Sequence, residues 1–198
     1  MYKKYLWVTL LPILFLAFSL GCGQPSGQVE QGRVIAADKA KKTITLIRDV
    51  KHELGNPVYD QLPPLTFELP KNPAEMGPEP KAGKLMEVDP KAKEIVIFDD
   101  ASQNFKRIKY NPIDEKEGVG LRNPLVAGKT FPVVDRAKKT VTVYDKRKRL
   151  ITTFALPEEF FTKPDNTFGF GDEVRIYAKL PGKALRLMNI SETDIFKK

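Results

Sequence analysis

Three stretches of this chain repeat one another, and the repeat decides what kind of fold the chain can make. Gly32-Arg-Val-Ile-Ala-Ala-Asp38 runs into KAKKTITL, Gly83-Lys-Leu-Met-Glu-Val-Asp89 into PKAKEIVIF, and Gly128-Lys-Thr-Phe-Pro-Val-Val-Asp135 into RAKKTVTVY. Each unit starts at a Gly, crosses an apolar-rich stretch to an Asp, turns through Lys-rich residues and enters a β-branched run. In those runs Ile44 and Leu46 alternate with Thr43 and Thr45, and Val141 and Val143 with Thr140 and Thr142. Period-2 alternation marks a strand buried on one face. The Asp favours a hairpin turn because its carboxylate can accept backbone N–H groups of the turn.

A further strand follows each hairpin. Leu65 to Leu69 ends at Pro70, Ile151 to Leu156 ends at Pro157, and Phe105 to Tyr110 ends at Asn111-Pro112. A closing hairpin follows from Gly171 to Ile190 around Pro181-Gly182, a strong turn signal. No long helical period interrupts this, so the expected class is all-β. Three strands, a connection and two more strands make a five-stranded barrel of the OB type, and closure removes exposed sheet edges. The pattern predicts tandem five-stranded OB-like barrels from an internal duplication, over residues 32–110 and 128–198, joined by a Pro/Gly-rich linker at 111–127. One continuous β-sandwich or barrel is the alternative.

The start of the chain carries an address. Lys3 and Lys4 precede an apolar run from Leu6 to Leu20, and Gly21 stands before Cys22, the single cysteine. About 15 apolar residues interrupted by Pro12 fall short of the roughly 20 that span a bilayer. The layout resembles the bacterial lipoprotein signal family, in which a Leu-Ala-Gly-Cys-like tetrapeptide is cut before the Cys. Here Ser19 and Leu20 depart from that tetrapeptide, whereas Gly21 and Cys22 fit it. The resemblance implies a signal peptide at 1–21, a lipidated tether at 22–31 beginning at Cys22, and an extracytoplasmic body on a bacterial membrane. Gly23 lacks the Asp that marks inner-membrane retention in that family, which favours the outer membrane.

Composition then narrows the chemistry. Loss of Lys3 and Lys4 leaves 31 of the 33 basic residues against 25 acidic ones, a net charge of +6. With His52 as the only histidine and Cys22 as the only cysteine, neither a zinc or copper cluster nor a disulfide framework is expected. Asp89, Asp99 and Asp100 offer oxygen atoms but no calcium-loop spacing. No cofactor is implied. A His-based catalytic triad has no Gly-x-Ser-x-Gly or cysteine-centred motif to join. Paired carboxylates for glycan cleavage would draw on Asp38, Asp89, Asp135 and Asp172, each of which is also a turn-stabilising position. The expected catalytic set is therefore empty.

Two features point toward binding. Lys138 and Lys139 sit at one hairpin tip, and Lys146, Arg147, Lys148 and Arg149 form a four-residue basic turn. If such tips gather at one end of the barrels, they would attract an acidic protein, an anionic glycan or lipid head groups. The plainer reading is lysines that solvate hairpin tips and discourage edge-to-edge association. Phe160, Phe161, Phe168 and Phe170 could stack on a sugar or partner, and the alternative is a plug over the open end of the second barrel. Nucleic acid is disfavoured by the extracytoplasmic address.

The sequence GDEVRIYAKLPGKALRLMN at residues 171–189, with the Gly-to-Asp hairpins and the lipoprotein-type start, resembles an uncharacterised family of bacterial lipoproteins. The resemblance implies only an anchored extracytoplasmic class. The expected function is a membrane-anchored, non-enzymatic binding or scaffolding module for an acidic protein or anionic envelope polymer. A carboxylate-dependent glycan-active enzyme and a structural spacer are the alternatives.

Overall fold

The structure is a computed structural model that describes residues 26–51 and 57–193, so Cys22 and His52 lie outside the described residues. It is all-β. Strands β1 (Gln28–Asp38), β2 (Thr43–Arg48) and β3 (Gln61–Glu68) form an antiparallel meander. They are followed by β4 (Leu85–Asp89), β5 (Glu94–Asp99), β6 (Asn104–Lys109) and β7 (Asn111–Lys116). Strands β8 (Val133–Asp135), β9 (Thr140–Asp145) and β10 (Leu150–Ala155) come next, and β11 (Glu173–Leu180) and β12 (Lys183–Asn189) end the described fold.

The strands sort into three sheets: a closed barrel in the order β1-β11-β12-β3-β2, a three-stranded sheet β4-β5-β6, and a four-stranded sheet β7-β10-β9-β8. In the barrel β12 runs parallel to β3 while the other pairings are antiparallel, the arrangement of a five-stranded Greek-key barrel of the OB type. Val34, Ile44, Leu46, Phe67, Val174, Ile176 and Leu187 fill it. Residues 69–172 are thus an insertion between the third and fourth barrel strands. Its two sheets pack face to face over Leu85, Ile95, Ile97, Val141, Val143 and Phe154.

The all-β, multi-sheet character matches expectation, and the partition of strands departs from it. The hairpin at 83–98, expected to close a barrel at 32–110, pairs with β6 instead, and β11–β12 close the barrel from the far end of the sequence. A period-2 strand specifies which side chains point inward, not which strand lies beside it. Val174, Ile176, Ala184 and Leu187 supply the inward face that completes the core. Residues 111–116, expected in the linker 111–127, form edge strand β7 on β10. Pro112 is tolerated there because an edge strand can lack a ladder N–H, and the register shifts beside it.

Five hairpins share one turn. Asp38, Asp89, Asp99, Asp135 and Asp145 each precede a four-residue loop. Their carboxylates accept the N–H of Lys41 (2.9 Å), Ala92 (2.8 Å), Ser102 (3.2 Å), Lys138 (3.0 Å) and Lys148 (3.1 Å) respectively. The last loop residue in every case has positive φ: Lys42, Lys93, Gln103, Lys139 and Arg149, all between 51° and 55°. The sequence repeat is the imprint of this turn.

Candidate functional site

The insertion folds back on the barrel and leaves a cleft of about 410 Å³ between them. Arg33, Asp172 and Glu173 line it from the barrel side, and Tyr144, Asp145 and Arg147 from the four-stranded sheet. Gly169, Phe170 and Gly171 add to its lining.

Arg33 is the centre of the site. It lies on the outward face of β1, in register with Glu173 of β11, a position that alternation alone would leave in water. The insertion covers it, so that only 4% of the residue remains exposed. One guanidinium nitrogen donates to the carbonyls of Met86 (2.6 Å) and Leu85 (3.3 Å). The guanidinium carbon lies 4.3 Å from the Tyr59 ring centroid and 5.0 Å from that of Phe170. Arg147 shares the Tyr59 ring at 5.5 Å, so two cations flank one aromatic ring. Arg33 Nε is buried without a hydrogen-bond partner, and among the described residues no carboxylate comes within 4.0 Å of Arg33 or Arg147. Glu173 and Asp145 offset the Arg33 charge through space only, which leaves Nε, a buried donor, without a direct partner.

A polar relay holds the barrel side of the cleft. Gln31 Nε2 donates to Asp49 (3.1 Å) and Glu173 (2.9 Å), while its carbonyl oxygen accepts two hydrogen bonds from Arg175 (2.8 and 3.2 Å). Burial raises the Glu173 carboxyl above the usual carboxylate range, and the nearby Arg33 charge opposes that shift. Burial also raises the Tyr59 hydroxyl and lowers the Arg33 guanidinium. Asp145 and Asp172 are held by bonds within the fold: Asp145 caps its own turn, and Asp172 accepts the backbone N–H of Lys81 and the side-chain amide of Asn189, both at 2.9 Å. The mouth carries Lys129 and Lys146, exposed and without a carboxylate contact among the described residues.

The residues expected to bind are split by the fold. Lys138 and Lys139 occupy the β8–β9 turn and Lys146 to Arg149 the β9–β10 turn, at opposite ends of a six-residue strand about 17 Å long. Lys139 pairs with Glu158 at 2.7 Å. Lys148 bonds Val88 O (2.7 Å) and Glu87 (3.2 Å), and Arg149 bonds Gly118 O (3.2 Å). Lys146 and Arg147 alone of these reach the cleft. Phe160, Phe161 and Phe168 are buried in the insertion's core, as the plug reading expects, although the core is the two-sheet insertion and not a second barrel. Phe170 is partly exposed and faces Arg33. Asp38, Asp89 and Asp135 are turn caps, and among the described residues no group of three His, Cys, Asp or Glu side chains could hold a metal.

Arg33, Tyr59, Gln31 and Glu173 were not singled out by the sequence. Arg33 stands in an ordinary strand, and its burial depends on residues 69–172 folding over it, which no local pattern records. Fold and cleft together define an all-β protein whose five-stranded barrel carries an inserted two-sheet unit across a charged cleft. The chain belongs to the DUF4881 family, a domain of unknown function, whose model matches residues 25–198 and so takes in barrel and insertion alike. No curated protein and no solved structure matches it.

Proposed function

We propose that the protein is an extracytoplasmic lipoprotein, anchored to a bacterial membrane through Cys22, that binds a carboxylate- or phosphate-bearing envelope partner in the cleft without catalysis. The observation that carries the binding half is the pair Arg33 and Arg147 on the Tyr59 ring, one of them buried, with no carboxylate in contact. An incoming anion would give Arg33 and Arg147 a contact partner that Glu173 and Asp145, acting on Arg33 only through space, do not provide, and charge-assisted hydrogen bonds of that kind are the strong ones. A cleft of this size suits a single anionic group and its immediate carrier better than a flat protein face. The anchoring half draws on the Lys3-to-Cys22 layout, and the family match beginning at residue 25 is compatible with a domain that starts just past the tether. Among the described residues no helix is long and apolar enough to cross a membrane.

The test is affinity purification from crosslinked membranes with a tag at Lys198, comparing the native chain with Cys22→Ala and with the pair Lys146→Glu and Arg147→Glu. One anionic partner should be recovered with the native chain and lost, in a salt-sensitive way, with the charge reversals. Equal recovery with the reversed pair at low salt would overturn the cleft, and unchanged membrane association of Cys22→Ala would overturn the anchor. Lys148 and Arg149 are left out because each bonds a backbone carbonyl of a neighbouring segment.

A second reading, carboxylate-dependent glycan cleavage, draws on Glu173: a carboxyl raised by burial, in a cleft shared with Asp145 and Asp172. Release of reducing ends from cell-wall glycan that disappears in Glu173→Gln would establish it. No release by the native protein would remove it.

A further inference from the structure

Toward the β11–β12 turn, beyond the Gln31–Arg175 contact that borders the cleft, the outer face of the β1–β11–β12 sheet is apolar and basic at once. Val29 pairs with Tyr177 and Tyr177 with Arg186 across the sheet, and Arg175 pairs with Met188. Directly paired residues share a face, so these side chains form one surface. Val29 is 53% exposed, Leu180 58%, Leu185 47% and Met188 40%. Leu180 sits at the β11–β12 turn between Lys179 and Lys183, neither of which contacts a carboxylate among the described residues. Arg186 pairs with Glu75. Leu180 and Leu185 thus stand exposed at one hairpin, beside two lysines without carboxylate partners among the described residues.

The chain itself says what meets this face. Gly27 lies so close to Tyr177 that a Cβ on it would come within 2.1 Å of the ring, so the described chain begins on this surface. Cys22 is five residues earlier, and five residues reach at most about 18 Å. A bilayer that holds acyl chains on Cys22 is therefore within one short tether of Leu180.

We infer that the β11–β12 hairpin and the start of β1 form a membrane-contact surface, with Leu180 and Leu185 entering the head-group region of an anionic leaflet and Lys179 and Lys183 paired with its phosphates. Apolar burial and electrostatic attraction add in such interfacial contacts, and lysine stems extend along the apolar layer while their charge stays at the phosphates. The surface rests on the anchoring half of the proposed function. It gives the anchored protein a fixed face toward the lipid.

The experiment uses the full, acylated chain in vesicles of phosphatidylethanolamine and phosphatidylglycerol. Because Cys22 is the only cysteine and its thiol is consumed by acylation, Leu180→Cys introduces a single reactive thiol for an environment-sensitive fluorophore. Val133→Cys, on the exposed β8 of the insertion, is the comparison. The Leu180 probe should emit to the blue and be quenched by lipids carrying a head-group nitroxide, while the Val133 probe should not. One label per chain with equal, water-like emission at both sites would overturn the surface and leave the anchor standing. Two labels per chain would show Cys22 free, and both the anchor and the surface would fall.

Discussion

Gly83, just before β4, and Gly171, where the chain returns to the barrel, touch. Gly83 N donates to Val34 O at 3.0 Å, and a Cβ on Gly171 would stand 1.9 Å from that same oxygen and 2.9 Å from Gly83 N. The three backbones cross with no room for side chains, which seats the insertion on β1 directly beside Arg33.

Gly171→Ala is therefore expected to destabilise the protein by about 3 kcal/mol or more, since the obstacle is backbone that cannot swing aside. Gly128→Ala is the control: nothing lies within 4 Å of its Cβ position, and only its φ of +70° resists substitution. Its expected cost is about 1 kcal/mol. Urea denaturation of the two variants checks the ranking.

The Asp-headed turns make stability fall in acid. A backbone N–H holds Asp38, Asp89 and Asp135 below the usual carboxylate range, from Lys41, Ala92 and Lys138 respectively. Asp99 is held down first by Lys163. Carboxylates with depressed folded values stabilise the fold above their unfolded value near 4, and the contribution disappears as the pH falls through the folded values. Thermal midpoints should be level near neutrality and drop below about pH 4. Asp135→Asn keeps an acceptor for the turn and should flatten part of that drop.

Glu173 acts in the opposite sense. Its folded carboxyl is raised by burial, so the stability it contributes is complete below the unfolded value of about 4.3 and is lost as the pH rises through the folded value. Glu173→Gln, which keeps an oxygen for Gln31 Nε2, should melt with the native protein at low pH and above it at neutral pH. Superposable curves at pH 7 would refute the raised carboxyl.

Lys42 occupies the positive-φ corner of its turn at 52° with an exposed side chain. A left-handed conformation costs a residue with a Cβ about 1–2 kcal/mol, and glycine returns about 0.5–1 of this through its freer unfolded chain. Lys42→Gly should stabilise the protein by up to about 1 kcal/mol in denaturant titration. Arg149→Gly should gain less, because it gives up the bond to Gly118 O.

Local features were legible in the sequence and long-range ones were not. The Asp-to-Lys stretches announced hairpins because the turn is written within six residues, carboxylate cap included. The burial of Phe160, Phe161 and Phe168 followed from the area such side chains remove from water. Strand β7 was missed because Asn-Pro-Ile-Asp-Glu-Lys carries no alternation: an edge strand pairs on one side only and Pro112 resembles a break. Barrel membership was hidden for a different reason. Similar hairpins 50 residues apart look interchangeable, and only inward volumes such as Ile176 and Leu187 against Phe67 decide which pair closes the cylinder. Arg33 is the extreme case, a polar outward residue made central by a unit that begins 36 residues later.

The parallel contact of Lys183 with Glu68 also sets an order of events. Strands β1 to β3 leave the ribosome first, yet the sheet they form keeps two open edges until the last strands of the fold arrive. The intervening sheets own a separate core and can assemble during that wait, because their partners lie close in sequence. Closure of the cylinder is thus a late step, and a chain that stops short of β11 would expose the edges of β1 and β3 together with half of an apolar interior. For such a protein the β11–β12 hairpin acts as the latch that separates a finished molecule from an aggregating one.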